Sequence, residues 1–385
     1  MFLCLFEFIE ESLNKICDYL LSIMIQLSGE FGEGGGSLVR VALALSTITG
    51  KPFEVDNIRK GRAKSGLKAQ HLYCIKSLQE LCSAVVEGDV LGSAYLKYIP
   101  GKIKAKPLQV DIGTAGSITL LLQSLLPPCL FASRSMKLEI VGGTDVKWAA
   151  PFDYFNNVFM PIVRKFCSGL NVKLVKRGYY PKGQGNIELN INPKYKLSEF
   201  SGFKEFCSYL KQNVPKIDLI EQGNLVGVKG ISHASLNLEN AKVAERQASA
   251  AKSILMKLGC PVDISSEYCN TVSLGSGITL WANFSKDEEC TEVFHMGADA
   301  LGEPGKRAEI VGEEAAKKLI KEIESKAAVD KYLGDQILLL MAFTSNSKIK
   351  VSEITEHCRT NIYVIEKFLG KVFEIDEEEK MISMI

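Results

Sequence analysis

The chain has 385 residues, 46% hydrophobic and 24% charged, a balance that excludes a disordered or fibrous protein and allows two or three domains or one large one. Its formal charge of +1 gives no global field for a polyanion, so a nucleotide or nucleic-acid site has to come from local clusters of Lys and Arg. Eleven cysteines without a Cys-x-x-Cys pair exclude zinc ribbons and fingers and fit buried, reduced thiols.

Residues 1–23 are interrupted by Glu7, Glu10, Glu11, Lys15 and Asp18, which excludes a bilayer span of roughly 20 apolar residues. They read as an amphipathic helical extension, or as sequence upstream of a start at Met24, where a strand-like MIQLSGEF begins. SGEFGEGGGSLVR, residues 28–40, follows. Its glycines admit backbone conformations and close approaches that other residues hinder. It lacks the Lys-Ser/Thr of a Walker loop, and Ser37 breaks the G-x-G-x-x-G pattern. A glycine-rich turn before a helix is also an ordinary tight connection. Glu33, able to hold a divalent metal, and Arg40, able to grip phosphate oxygens, favour a binding role. NIRKGRAKSGLKAQH, residues 57–71, carries five cations and no acid. Such a run is commonly a solvated face, but Arg59 and Arg62, two residues apart beside Gly61 and near Gly66, suit a phosphate-binding loop.

Further along, Lys97, Lys102, Lys104 and Lys106, and then Lys176, Arg177, Tyr179, Tyr180 and Lys182, place cations near aromatics. That suits a single-stranded RNA end, and ordinary surface explains it equally well. A stretch from about Pro193 to about Glu289 has a different character, with a helix-like KVAERQASAAKSILMKLG and a strand-like TVSLGSGITLWANF. It reads as a small inserted α/β domain, followed by KRAEIVGEEAAKKLIKEI as an exposed amphipathic helix.

In VDKYLGDQ, residues 329–336, Tyr332, Asp335 and Gln336 fall within a turn of one another and can face one pocket; Asp335 as a helix cap is the plainer alternative. EHCRTNI, residues 356–362, puts His357 at the start of the predicted helix HCRTNIYVIEKFL. Exposed N–H groups and the helix dipole there favour phosphate and disfavour an imidazolium, leaving a ring able to act as nucleophile or base. Of the other histidines, His71 lies near the basic run, while His233 and His295 read as structural or exposed. Cys358 is adjacent to His357 and points away from it on a helix.

Three apolar helix-like runs, GGGSLVRVALALS from Gly34, GTAGSITLLLQSLL from Gly113 and LGDQILLLMAF from Leu333, are each followed by a strand-like stretch and a second amphipathic helix. The expected fold is therefore α+β: three copies of one unit in a large domain of residues 24–192 and 290–385, interrupted by the insert at 193–289.

Taken in order, FGEGGGSLVRVALALS, NIRKGRAKSGLKAQHL, GTAGSITLLLQSLLP, VGGTDVKWAAPFDYF, YLGDQILLLMA and HCRTNIYVIEKFL resemble the RNA 3'-terminal phosphate cyclase family from about Met24 to the C-terminus. The resemblance implies three βαβαββ-like repeats, similar to the C-terminal domain of bacterial initiation factor three, with a small α/β domain inserted after the second. It implies use of ATP and a divalent metal, Mg or Mn, to turn an RNA 3'-phosphate into a 2',3'-cyclic phosphate through an adenylyl-histidine and an RNA-adenylate. On that basis His357 is the nucleophile, Glu33 binds the metal, and Arg40, Arg59 and Arg62 hold phosphates. Gln123, Pro151, Tyr332, Asp335 and Gln336 line the adenylate pocket, and Ser37 departs from the Gln that many relatives carry. The cytoplasm is the default compartment, and a homodimer is compatible with the resemblance. A non-catalytic RNA-binding relative from ribosome assembly is the alternative; that branch lacks the histidine present here. The related enolpyruvyl transferases are disfavoured because their phosphoenolpyruvate signatures are not visible.

Overall fold

The computed structural model describes residues 24–32, 34–290 and 292–385, and the expectations for residues 1–23 and for Glu33 fall outside them. The chain starts with β1 (Ile25–Ser28), α1 (Ser37–Thr49), β2 (Phe53–Asp56), α2 (Ala69–Cys82), β3 (Val85–Glu87) and β4 (Leu96–Ile99). β1 and β2 run parallel, as a helical crossover requires, and β4 and β3 add antiparallel, giving the order β1-β2-β4-β3.

Next come β5 (Leu108–Asp111), α3 (Ile118–Leu130), β6 (Met136–Gly142), a helical stretch over residues 152–163 with π geometry at Phe155–Phe159, β7 (Cys167–Lys176) and β8 (Gly185–Pro193). Their sheet has the order β5-β6-β8-β7, with the same parallel first pair. After α4 (Phe203–Asn213) and the short β9 (Asp218–Leu219), the chain builds β10 (Asn224–Ser235), α5 (Val243–Leu255), β11 (Val262–Cys269), β12 (Ser276–Ser285), β13 (Val293–Leu301) and α6 (Ala308–Glu324). It then returns through α7 (Lys331–Met341), β14 (Lys348–Lys350), α8 (Glu356–Leu369), β15 (Phe373–Asp376) and β16 (Met381–Met384). β14 pairs in parallel with β9, and the order β15-β16-β14-β9 matches the first two sheets. The architecture is mixed α+β.

Two hydrophobic cores explain the grouping. One runs through the first, second and last sheets, where Phe131 meets Phe166, Phe206 and Phe343 at centroid distances of 6.5, 5.2 and 5.4 Å. The other joins Leu280 and Met296 of the β11-β10-β12-β13 sheet to Leu255, Val311 and Leu319 of α5 and α6.

This packing places three stretches around the insert. Residues 203–213 form α4, whose Phe206 and Leu210 belong to the first core, so the chain stays with that core well past 193. The fourth sheet runs through 289, because β13 pairs with β12 from Val293 to Leu301. Nor is α6 simply a surface helix: Val311, Ala315, Ala316 and Leu319 are buried, and a Cβ on Gly312 would come within 2.1 Å of the Gln247 carbonyl on α5. Among the described residues no helix is long and apolar enough to cross a membrane.

Candidate active site

The start of α8 is organised by its cap. Thr355 Oγ1 accepts from the Cys358 N–H and donates to Asp335 Oδ1, leaving His357 half-buried in the first turn. Cys358 turns inward, with Sγ 3.1 Å from Asp335 Oδ1. Burial, reinforced by the Asp335 charge, pushes its thiol well above the usual range, which removes it as a competing nucleophile. One turn on, buried Asn361 donates to the Asp335 carbonyl at 2.9 Å and accepts from Ser37 Oγ at 2.7 Å. Thus α1, α7 and α8 are pinned to one another through polar groups, and Ser37 has a defined partner in Asn361.

The glycine-rich loop lies against α8. Phe31 stacks on Tyr363 with ring centroids 3.9 Å apart. Gly32 has φ +62°, and a Cβ there would lie 2.2 Å from Thr360 Oγ1. Both its backbone and its space demand glycine. Gly32→Ala is expected to cost about 1–3 kcal/mol, read as a lower midpoint in a denaturant titration; an unchanged midpoint would refute the packing argument.

Arg40 is buried on α1 and donates from Nε to Gln123 Oε1 on α3 at 2.8 Å, so these two predicted site residues are in direct contact. Arg59 and Arg62 lie on turns, as the loop reading expected, with Arg59 at φ +59° and Arg62 exposed. Lys60 pairs with Glu30, joining the basic loop to the glycine-rich one. His71 belongs here more closely than the sequence suggested. Its Nδ1 accepts from the Lys68 N–H at 3.0 Å, and its Nε2 fills the space where Gly36 would carry a Cβ. Burial first, then Arg40, Arg59 and Lys68, lower its pKa to about 3, so the ring is neutral at physiological pH.

Pro151 and Tyr332 are tied through Tyr154. Pro151 precedes the 152–163 helical stretch, and the Tyr154 ring meets Tyr332 edge-on at 6.5 Å. Tyr154 Oη donates to Asp330 Oδ1 at 2.6 Å, and the same oxygen caps α7 by accepting from the Tyr332 and Leu333 N–H groups. The cap of α7 is therefore Asp330, and Asp335 is released for the α8 contacts. Burial pushes the Asp330 carboxyl up to about 6, against the donors from Tyr154, Gly297 and Leu333. Gln336 donates from its side chain to the Tyr332 carbonyl, and Tyr332 itself is 41% exposed, leaving a ring face available.

A buried ionic cluster was not anticipated. Arg177, 1% exposed, reaches Asp145 at 3.2 Å, Asp153 at 2.7 Å and Glu267 at 2.6 Å. His233 Nδ1 bonds Tyr179 Oη at 2.7 Å, and its Nε2 lies 3.2 Å from Asp145 Oδ1, off the line of a hydrogen bond. Ligand atoms of Asp145, Asp153 and His233 lie within 4.8 Å of one another, a spacing that a divalent ion can bridge. The Arg177 guanidinium already bonds both carboxylates, so a cation would have to displace an internal positive charge. The fit to a catalytic metal is poor for that reason. With Arg177 and Tyr179 buried, the expected RNA-facing cluster reduces at this place to exposed Tyr180 and Lys182.

Arg40 in the first turn of α1 and His357 in the first turn of α8 stand on helices joined through Ser37 and Asn361, on a mixed α+β frame. A family model described as RNA 3'-terminal phosphate cyclase matches residues 31–375. A protein of that name from Pyrococcus furiosus is 46% identical over 354 residues, covering 91% of this chain and 95% of the relative. Those from Archaeoglobus fulgidus and Methanosarcina acetivorans are 41% and 42% identical, each covering 94% of this chain and 100% and 99% of the relative. The chain belongs to the RNA 3'-terminal phosphate cyclase family. By that membership it is a ligase-type enzyme that uses ATP to close an RNA 3'-phosphate into a 2',3'-cyclic phosphate.

Proposed function

We propose that His357 attacks the α-phosphorus of ATP, forming a phosphoramide bond as the bond to pyrophosphate breaks. An oxygen of the RNA 3'-phosphate then takes the AMP from His357, and the neighbouring 2'-OH attacks the 3'-phosphorus, losing its proton and expelling AMP. Covalent catalysis divides one difficult exchange into steps that each have a good leaving group, and the last is intramolecular. The observation that carries this reading is His357 in the capped first turn of α8, with α1 and its Arg40 pinned to the same helix through Ser37 and Asn361.

In this reading Arg40, Arg59 and Arg62 neutralise phosphate oxygens, with Gln123 aiming Arg40. Gln123, Pro151, Tyr332, Asp335 and Gln336 line the adenylate pocket, and Asp335 also orients the first turn of α8. Glu33 would hold a divalent metal, Mg or Mn, which when bound would neutralise charge on the phosphoryl oxygens. The three sheets of matching order represent three repeats of the βαβαββ unit similar to the C-terminal domain of initiation factor three. The insert corresponds to the fourth sheet with α5 and α6. The protein acts in the cytoplasm on RNA ends, and a homodimer is compatible with this arrangement.

The test uses RNA ending in a 3'-phosphate, with ATP and Mg or Mn. The expected product resists phosphatase, and AMP is released with it in equal amount. A 2'-deoxy terminal nucleotide is expected to stop at the RNA-adenylate. RNA binding without ATP turnover would instead support the non-catalytic reading.

A further inference from the structure

We infer that the inserted sheet is a positioning brace for the nucleotide pocket, setting the spacing between its walls at Pro151 and Tyr332. The inference rests on the assignment of those two residues to the adenylate.

The first wall is held through Arg177. Asp145 and Asp153 stand at the two ends of the loop that carries Pro151, and one guanidinium bonds both, at 3.2 and 2.7 Å, closing the loop like a clasp. The clasp has its remaining partners on the insert. Glu267 of β11 accepts from Arg177 Nε at 2.7 Å, while His233 of β10 lies against Asp145 and bonds Tyr179, two residues beyond Arg177.

The second wall is held through Asp330. The Gly297 N–H of β13 donates to Asp330 Oδ2 at 2.9 Å, and Asp330 Oδ1 caps the helix that starts at Lys331 and presents Tyr332. A Cβ on Gly297 would lie 2.5 Å from the ring of Tyr154, the residue that links the two walls. Strands β10, β11 and β13 belong to one hydrogen-bonded sheet with its own hydrophobic core. The separation of the walls is therefore referenced to a rigid body outside the pocket, which is how a supporting shell fixes a binding geometry.

Glu267 is the place to test this, because its side chain is 43% exposed and its replacement leaves the buried core intact. In the full-length protein, Glu267→Asp keeps the charge and shortens the reach, while Glu267→Gln keeps the reach and removes the charge. Cyclisation is measured against ATP and against RNA concentration, together with thermal unfolding. Glu267→Asp is expected to raise KM for ATP about three- to tenfold, with KM for RNA and kcat within about twofold. Glu267→Gln is expected to stay closer to the wild type in KM for ATP and to lose more thermal stability than Glu267→Asp. Unchanged KM for ATP in both variants, a parallel rise in KM for RNA, or changes confined to the melting temperature would overturn the brace. A wild-type protein that forms no enzyme–AMP would defeat the proposed function instead.

Discussion

Replacing His357 with alanine is expected to abolish covalent AMP and to lower RNA cyclisation on the order of 10³-fold or more, the scale seen when a covalent nucleophile is removed. The fold should survive, for reasons visible at the helix start. The cap of α8 is made by the Thr355 side chain and the Cys358 N–H, neither of which needs the imidazole. Asn361 and Asp335 join α8 to its neighbours through atoms that the substitution leaves in place. The variant should therefore melt close to the wild type and bind 3'-phosphate RNA within about twofold, since Arg40, Arg59 and Arg62 remain. Incubation with α-labelled ATP separates the alternatives. Label that is acid-labile and present on the wild type alone identifies His357; label of equal intensity on the variant assigns the nucleophile elsewhere. Because the His71 pKa is lowered to about 3, that ring stays neutral from pH 5 to 8, and any activity limb in this range belongs to another group.

Helix positions were readable because the apolar residues of α1, α3, α7 and α8 recur with the helical period, and because glycines such as Gly50 and Gly370 stop them. The α+β class followed from the alternation of those helices with short apolar strands. What the sequence hid was long-range charge pairing. Arg177 looked like a surface cation in VKRGYYPKGQG, since composition along a short window carries no information about two aspartates some 24 and 32 positions away. Asp330 and Asp335 present a similar case. Both sit near the start of α7, and only their partners, backbone N–H groups for one and Thr355 with Cys358 for the other, separate a cap from a site residue. The pairing of β13 with β12 was hidden for a related reason: β13 comes after residue 289, and pairing across that gap is not a local property.

The charge network leads to the second large effect, on stability. Arg177→Met preserves much of the side-chain volume but leaves Asp145 and Asp153 buried without their guanidinium. Breaking a buried ion pair from one side costs about 3–5 kcal/mol, because the remaining charge keeps its desolvation penalty and loses its partner. The loss should depend on pH in a defined direction. In the wild type, burial opposes ionisation of Asp145, but His233 and Arg177 outweigh it and hold the carboxyl well below the usual carboxylate range. A carboxyl depressed in the folded state contributes stability that is present above its unfolded pKa and is lost as pH falls through the folded value. Between pH 7 and pH 5 the Asp145 contribution is therefore fully retained, while burial outweighs Arg177 at Asp153 and holds that carboxyl above the usual carboxylate range. In Arg177→Met the guanidinium is gone while burial remains, so the carboxyls shift upward, the folded state takes up protons more readily than the unfolded chain, and acidification stabilises it. Denaturant titrations at pH 7 and pH 5 should accordingly show the deficit of the variant shrinking at the lower pH, by about 1.4 kcal/mol for each pK unit of upward shift that is titrated. A deficit of equal size at both pH values would mean that the cost comes from packing around the lost side chain and not from stranded carboxylates. Adding Asp153→Asn to Arg177→Met removes one of the two charges, and recovery of part of the stability at pH 7 but not at pH 5 would locate the penalty on that carboxylate.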